Sequence, residues 1–146
     1  MLKSGYGSFI TVEDRHILAR PGQGNADRLI PDITATFGED RFAYDVSIMD
    51  PCVPSNVVAG HTCEYVAARK IEKYEAAAQE RSITFVPLCA EIYGRFSGLF
   101  WNEVRRISHY VEVQQSVAAN VWYSYWRKRL QFRLAIQSYG LPTSVR

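Results

Sequence analysis

Between Leu29 and Ser47 two β-rich runs flank the turn residues Gly38, Glu39 and Asp40, and this layout predicts a β-hairpin. In the second run Phe42, Tyr44, Val46 and Ile48 alternate with Ala43, Asp45 and Ser47. Successive side chains of a strand point to opposite faces, so Asp45 and Ser47 share one face and the large apolar residues the other. In the first run Asp32 is in phase with Thr34 and Thr36, opposite Ile33, Ala35 and Phe37. If the polar faces coincide, Asp32 and Asp45 can share a hard divalent cation. Mg2+, or Mn2+ in its place, suits such a pair because a few carboxylate oxygens plus water satisfy it. An ion held this way can activate water against a phosphodiester. Aspartates near turns are also common as plain solvated side chains, and spacing alone leaves that alternative open.

The 146 residues are enough for one domain with a sizeable core. No apolar run approaches the roughly 20 residues of a membrane span, and the N-terminus lacks the layout of a signal peptide. No membrane association is therefore expected. Cys52, Cys63 and Cys89 are an odd set without a disulfide-framework spacing, which favours a reducing, intracellular setting. The net charge of +2 conceals an asymmetry. Residues 1–92 hold 9 Lys/Arg against 13 Asp/Glu, whereas residues 93–146 hold 8 against 2. An acidic half that binds metal and a basic half that binds phosphates would look like this, as would an ordinary solvated basic helix.

Residues 6–12 and 16–18 read as one strand or two short ones, and Pro21 to Asp27 as a loop. After the hairpin, Pro51 and Pro54 interrupt pairing, and Ser55 or Asn56 is placed to cap a helix over much of 57–80. Its apolar stripe is Cys63, Val66, Ala67, Ile71, Tyr74 and Ala78. On a helical wheel Lys70 falls at the edge of that stripe and Lys73 farther round. A lysine there needs a partner or a route to water, and Asp45 would be that partner. Ile83 to Leu88 reads as a buried strand parallel to the second hairpin strand, because a helical crossover joins them. Two helices, 99–115 and 118–138, end the chain before Gly140 and Pro142. The expected organisation is a single domain: an α/β core over 1–95 with a two-helix extension over 96–140.

Asp32, Asp45 and Lys70 thus stand on successive strand, strand and helix, each expected to face the same side. In such a constellation the carboxylates hold the metal, and the lysine orients or deprotonates water or steadies the developing charge on phosphorus. Lys73 takes that place if the helix phase is off by one position.

Pro31-Asp32, twelve intervening residues, Asp45-Val46-Ser47, Asp50-Pro51-Cys52-Val53-Pro54-Ser55, Ala67 to Tyr74, Phe85 to Leu88 and Glu91-Ile92-Tyr93-Gly94 form an ordered series. Over residues 28–94 it resembles the restriction-enzyme-like endonuclease domain of non-LTR retrotransposon reverse transcriptases, a branch of the PD-(D/E)XK nuclease superfamily. The resemblance implies a mixed central β-sheet with flanking helices and Mg2+-dependent nicking of DNA at a target site, with a nuclear location. It makes Asp32 and Asp45 metal ligands and puts Ser47 where the superfamily's usual lysine stands. In this branch the lysine has moved to the following helix, which fits Lys70 or Lys73. Glu91 becomes a candidate for the rim. The superfamily's first core helix is expected to be missing, with only Glu13 and Asp14 as upstream acids, and no reverse transcriptase or zinc knuckle accompanies the domain. A reverse transcriptase domain is accordingly an implied partner. The alternative is a catalytically inactive remnant of the same fold that binds nucleic acid or protein.

Arg105 and Arg106 on one C-terminal helix, with Arg127, Lys128 and Arg133 on the next, are candidate phosphate contacts. Aromatics interleave with them, as stacking on bases requires, although Trp122, Tyr125, Trp126 and Phe132 at helical spacing also fit a core. Cys52, His61 and Cys63 match no finger spacing, so buried free thiols are the expectation. A serine nucleophile lacks a His–Asp arrangement, and neither a Walker loop nor a dinucleotide fingerprint is present.

Overall fold

A computed structural model of the chain describes residues 8–12, 18 and 29–139. The expected strand residues Tyr6, Gly7, His16 and Ile17, the loop at 21–27, the acids Glu13 and Asp14, and the helix stop at Gly140 and Pro142 lie outside the described residues. The elements in order are β1 (Ser8–Val12), β2 (Ile33–Phe37), β3 (Asp40–Met49), α1 (Pro54–Ala59), α2 (Cys63–Gln79), β4 (Thr84–Glu91), α3 (Gly98–Gln115) and α4 (Ala119–Tyr139). The fold is α/β, with a mixed sheet in the order β1-β2-β3-β4 and flanking helices. β1 with β2 and β2 with β3 are antiparallel. β3 and β4 finish together, the Ile92 N–H donating to the Met49 carbonyl at 2.9 Å, as parallel strands joined by a helical crossover do. β4 lies at the sheet edge, where Pro87 can be accommodated without removing a ladder bond from a central strand.

The hairpin turn is tighter than the sequence suggested. Phe37 pairs with Asp40, so Gly38 and Glu39 alone make the loop and Asp40 belongs to the strand. Gly38 has φ 63 and Glu39 a negative φ, the signs of a type II′ turn, whose twist matches that of the flanking strands. The expected helix over 57–80 is interrupted at Gly60, whose φ of 65 ends α1 and lets α2 begin afresh at Cys63. Neither Ser55 nor Asn56 caps α1. The helix starts at Pro54 with Val53 at its N-cap position and no side-chain cap, and the Asn56 amide donates instead to the Asp50 carbonyl at 2.7 Å.

The described chain divides into two compact units. One contains the chain up to Val46 together with Ala68–Leu88, the other Ser47–Ala67 together with the chain from Cys89 onward. The division runs through β3, α2 and β4. In the first unit the sheet is buried on both faces. Ala43 and Phe85 pack with Tyr74 and Ala78 of α2, with Leu18 and with Ile83. On the opposite face Phe42 and Tyr44 pack with Ile33, Ala35, Phe37, Val86 and Leu88. The face carrying Asp45 is therefore the helix-covered one. The second unit has its own cluster of Cys63, Ala67 and Cys89, with Met49 and Val66 packed on it. There α3 and α4 pack on each other. Ser97 caps α3 by accepting the Phe100 N–H, and Glu112 accepts the Ala119 N–H where α4 begins.

Candidate active site

The two-residue turn decides where the aspartates stand. Ile33 pairs with Tyr44, so the next step of the ladder sets Asp32 opposite Asp45, on the same face of the hairpin. Pro31 before it is buried, and Asp32 stands immediately ahead of β2 with its carboxylate accepting the Val46 N–H at 2.6 Å. That bond ties the end of the paired region to the residue beside Asp45.

Asp45 is 5 % exposed. Lys70, half-buried on α2, forms an ion pair with its Oδ2. Oδ2 is fully buried, and the Lys70 ammonium is the polar partner that faces it. One turn farther along α2 the Tyr74 hydroxyl lies 3.3 Å from Asp45 Oδ1 and 3.3 Å from the Ile30 carbonyl. Burial, then the charge of Asp45 and its hydrogen bond, and then the charge of Asp32, push the Tyr74 phenol up to about 12. The influence of both carboxylates on one hydroxyl places them in a single electrostatic neighbourhood.

Spacing alone puts Tyr74 in the apolar stripe. Its ring does belong there, stacked on Phe85 with centroids 4.5 Å apart, but its hydroxyl serves the carboxylates. Its position four residues after Lys70, on the same helix face, was the available signal. Lys73 is exposed, and its ammonium lies 5.3 Å from the Tyr74 ring centroid.

Ser47 and Glu91 belong to the second unit. Glu91 is buried, accepts the Cys63 N–H at 3.1 Å at the start of α2, and faces Arg95 at 3.7 Å. Its carboxylate thus caps a helix and complements the positive end of its dipole. Burial, then the hydrogen bond and charge of Glu91, push the Cys63 thiol up to about 11.

Of the basic candidates, Arg106 grips the buried Glu103 through two nitrogens at 2.7–3.1 Å, which commits it to structure. Arg105 lies over Tyr123 and Arg127 over Trp101, both exposed and at cation–π distances of 5.2 and 5.6 Å. Lys128 and Arg133 are exposed on α4.

Among the described residues no three His, Cys, Asp or Glu side chains group as a metal site, so an ion here would rest on the Asp32–Asp45 pair. That pair fits Mg2+ or Mn2+, which bind through one or two carboxylates with water and substrate phosphate completing the shell. The buried Asp45 Oδ2, which already accommodates the Lys70 ammonium, is the feature that supports the fit. No helix among the described residues is long and apolar enough to cross a membrane. No protein-family model, curated protein or solved structure matches the chain.

Proposed function

We propose that this chain is a metal-dependent DNA endonuclease of PD-(D/E)XK type, related to the target-site nicking domain of non-LTR retrotransposons and acting in the nucleus. The observation that carries the reading is the opposition of Asp32 and Asp45 across a two-residue hairpin, with Lys70 bound to the buried oxygen of Asp45. Asp32 and Asp45 are the residues to hold Mg2+ or Mn2+, and a bound ion supplies Lewis-acid polarisation of the phosphoryl oxygen and a more acidic water. The Val46 N–H fixes one oxygen of Asp32, and the Tyr74 hydroxyl fixes Oδ1 of Asp45. Both carboxylates are oriented before any ligand arrives.

Lys70 guards Asp45 in the resting protein, so the buried charge is never unpaired. Beside a bound phosphodiester the same ammonium balances charge as water oxygen joins phosphorus and the bond to the leaving oxygen breaks. The leaving oxygen takes a proton, and a phosphomonoester and a hydroxyl result. The reading implies DNA as substrate, and a reverse transcriptase domain as the partner that would extend the free hydroxyl.

Supercoiled plasmid incubated with the protein in Mg2+, Mn2+ or EDTA tests it. Metal-dependent nicking that Asp32→Ala/Asp45→Ala abolishes is the expected result. A folded protein that shifts the plasmid without nicking it in either metal would overturn the enzyme and leave a nucleic-acid-binding remnant.

A further inference from the structure

Helix α4 carries Arg127, Lys128, Arg129 and Arg133 and not one carboxylate over Ala119–Tyr139. At about 100° per residue, Val121, Tyr125, Lys128, Arg129 and Phe132 fall within about 100° of one another around its axis. From Val121 to Phe132 this side is open, and one turn farther on it closes at Ile136, which lies in the same sector and is buried. Val121 is 60 % exposed, Tyr125 53 % and Phe132 58 %, while Ala119 and Leu134 on the far side are buried. The rings are separated by about 10 Å along the axis, with Lys128 and Arg129 between them. Arg129 donates to the Tyr125 hydroxyl at 2.8 Å and lies 5.8 Å from the centroids of both Tyr125 and Trp126. The Tyr125 ring is thereby held in place before it meets a ligand, which lowers the ordering cost of binding.

We infer that this face of α4 is a binding platform for single-stranded nucleic acid, with bases stacking on Tyr125 and Phe132 and phosphates paired to Lys128, Arg129 and Arg133. The occupant follows from two complementarities. A polyanion answers a helix whose charged side chains are all basic. Exposed rings interleaved with those cations answer a polymer that presents a π-face beside each phosphate, and only an unpaired strand offers its bases that way. A duplex keeps its bases stacked and would leave both rings idle. A second copy would bring Lys128 and Arg129 against their own kind. A membrane surface would find only three apolar side chains to bury, short of the broad apolar face of an interfacial helix.

The platform does not depend on the aspartate site and is read without metal. Full-length protein is titrated into fluorescein-labelled oligothymidylate of twelve nucleotides in EDTA, followed by anisotropy. Tyr125→Ala/Phe132→Ala is expected to weaken binding at least about tenfold, given the worth of a stacked base. Tyr125→Phe/Phe132→Tyr keeps both rings and should recover most of the lost affinity, short of wild type only by what the Arg129 bond to the Tyr125 hydroxyl contributes. Lys128→Gln/Arg133→Gln should flatten the log–log salt dependence by about 1.4, or roughly 0.7 per lost phosphate contact. The titration is read in EDTA, where metal-dependent cleavage does not occur, so a failed nuclease assay leaves this result standing. Undiminished binding by the ring-less pair would overturn the platform, as would equal loss in the ring-retaining pair. Equal competition by a duplex of the same length, or binding to phosphatidylserine vesicles without binding to the strand, would overturn it too.

Discussion

Lys70 of α2 and Asp45 of β3 form an ion pair in which the carboxylate is almost wholly buried and the ammonium keeps a path to solvent, their side chains being 7 % and 29 % exposed. The asymmetry matters for both stability and chemistry. Removing the lysine strands a buried charge, whereas removing the carboxylate releases a cation that can turn toward water.

Lys70→Met should therefore destabilise the fold by about 3 kcal/mol, the lower end for breaking a buried pair from one side. Asp45→Asn should cost less, and Asp45→Asn/Lys70→Met less than the sum of the two single changes, because the second change removes the charge that the first leaves unpaired. Urea unfolding of the four proteins measures the coupling. Additive single effects would show that the pair contributes nothing as a pair.

Much of this site was legible in the sequence. Strand alternation and the helical wheel fix which face a residue occupies, and periodicity puts Asp45 on a strand and Lys70 on a helix as the structure does, whereas Asp32, expected within the first strand, stands one residue ahead of β2. The pairing register was not legible from composition. A three-residue turn at Gly38, Glu39 and Asp40 would have shifted the hairpin by one residue and set Ile33, not Asp32, against Asp45. The backbone at Gly38 selects the shorter loop. The split of the expected helix at Gly60 hung on one left-handed residue in the same way. The rim position of Glu91 is implied by the resemblance alone. Its role at Cys63 depends on a contact 28 residues away in sequence that no local pattern encodes.

Gly38→Ala tests the turn directly. A φ of 63 costs an L-residue roughly 1–2 kcal/mol, and a Cβ there meets nothing within 4 Å, so the loss is purely backbone strain. The expected result is destabilisation of that size with unchanged far-ultraviolet dichroism. An unaffected unfolding midpoint would mean that the turn relaxes to another type.

The thiols should separate cleanly by reactivity. Cys52 is exposed, while Cys63 and Cys89 are buried, and the Cys63 thiol is held protonated with its pKa pushed up to about 11 by burial and by Glu91. At pH 8 a disulfide reagent should modify one thiol rapidly and the other two only on unfolding. Cys52→Ser should abolish the fast phase, and a fast phase that survives it would place a reactive thiol where the structure has a core.

Tyr74 links stability to pH with a definite sign. Its phenol ionises near 10 when unfolded and near 12 in the folded chain. Its contribution is thus complete below about pH 10 and is lost as pH rises toward 12, because the unfolded chain gives up the proton first. Tyr74→Phe removes the bond to Asp45 Oδ1 and should cost about 1.5–3 kcal/mol at pH 7, the range for a hydrogen bond to a charged group. The deficit relative to wild type should shrink between pH 10 and 12, where wild type loses what the variant never had. Urea midpoints of the two proteins measured from pH 7 to 11.5 give the difference directly, with other tyrosines and lysines cancelling in the comparison. A gap that stays constant across that range would show that the hydroxyl ionises as it does in water and does not serve Asp45 from a buried position.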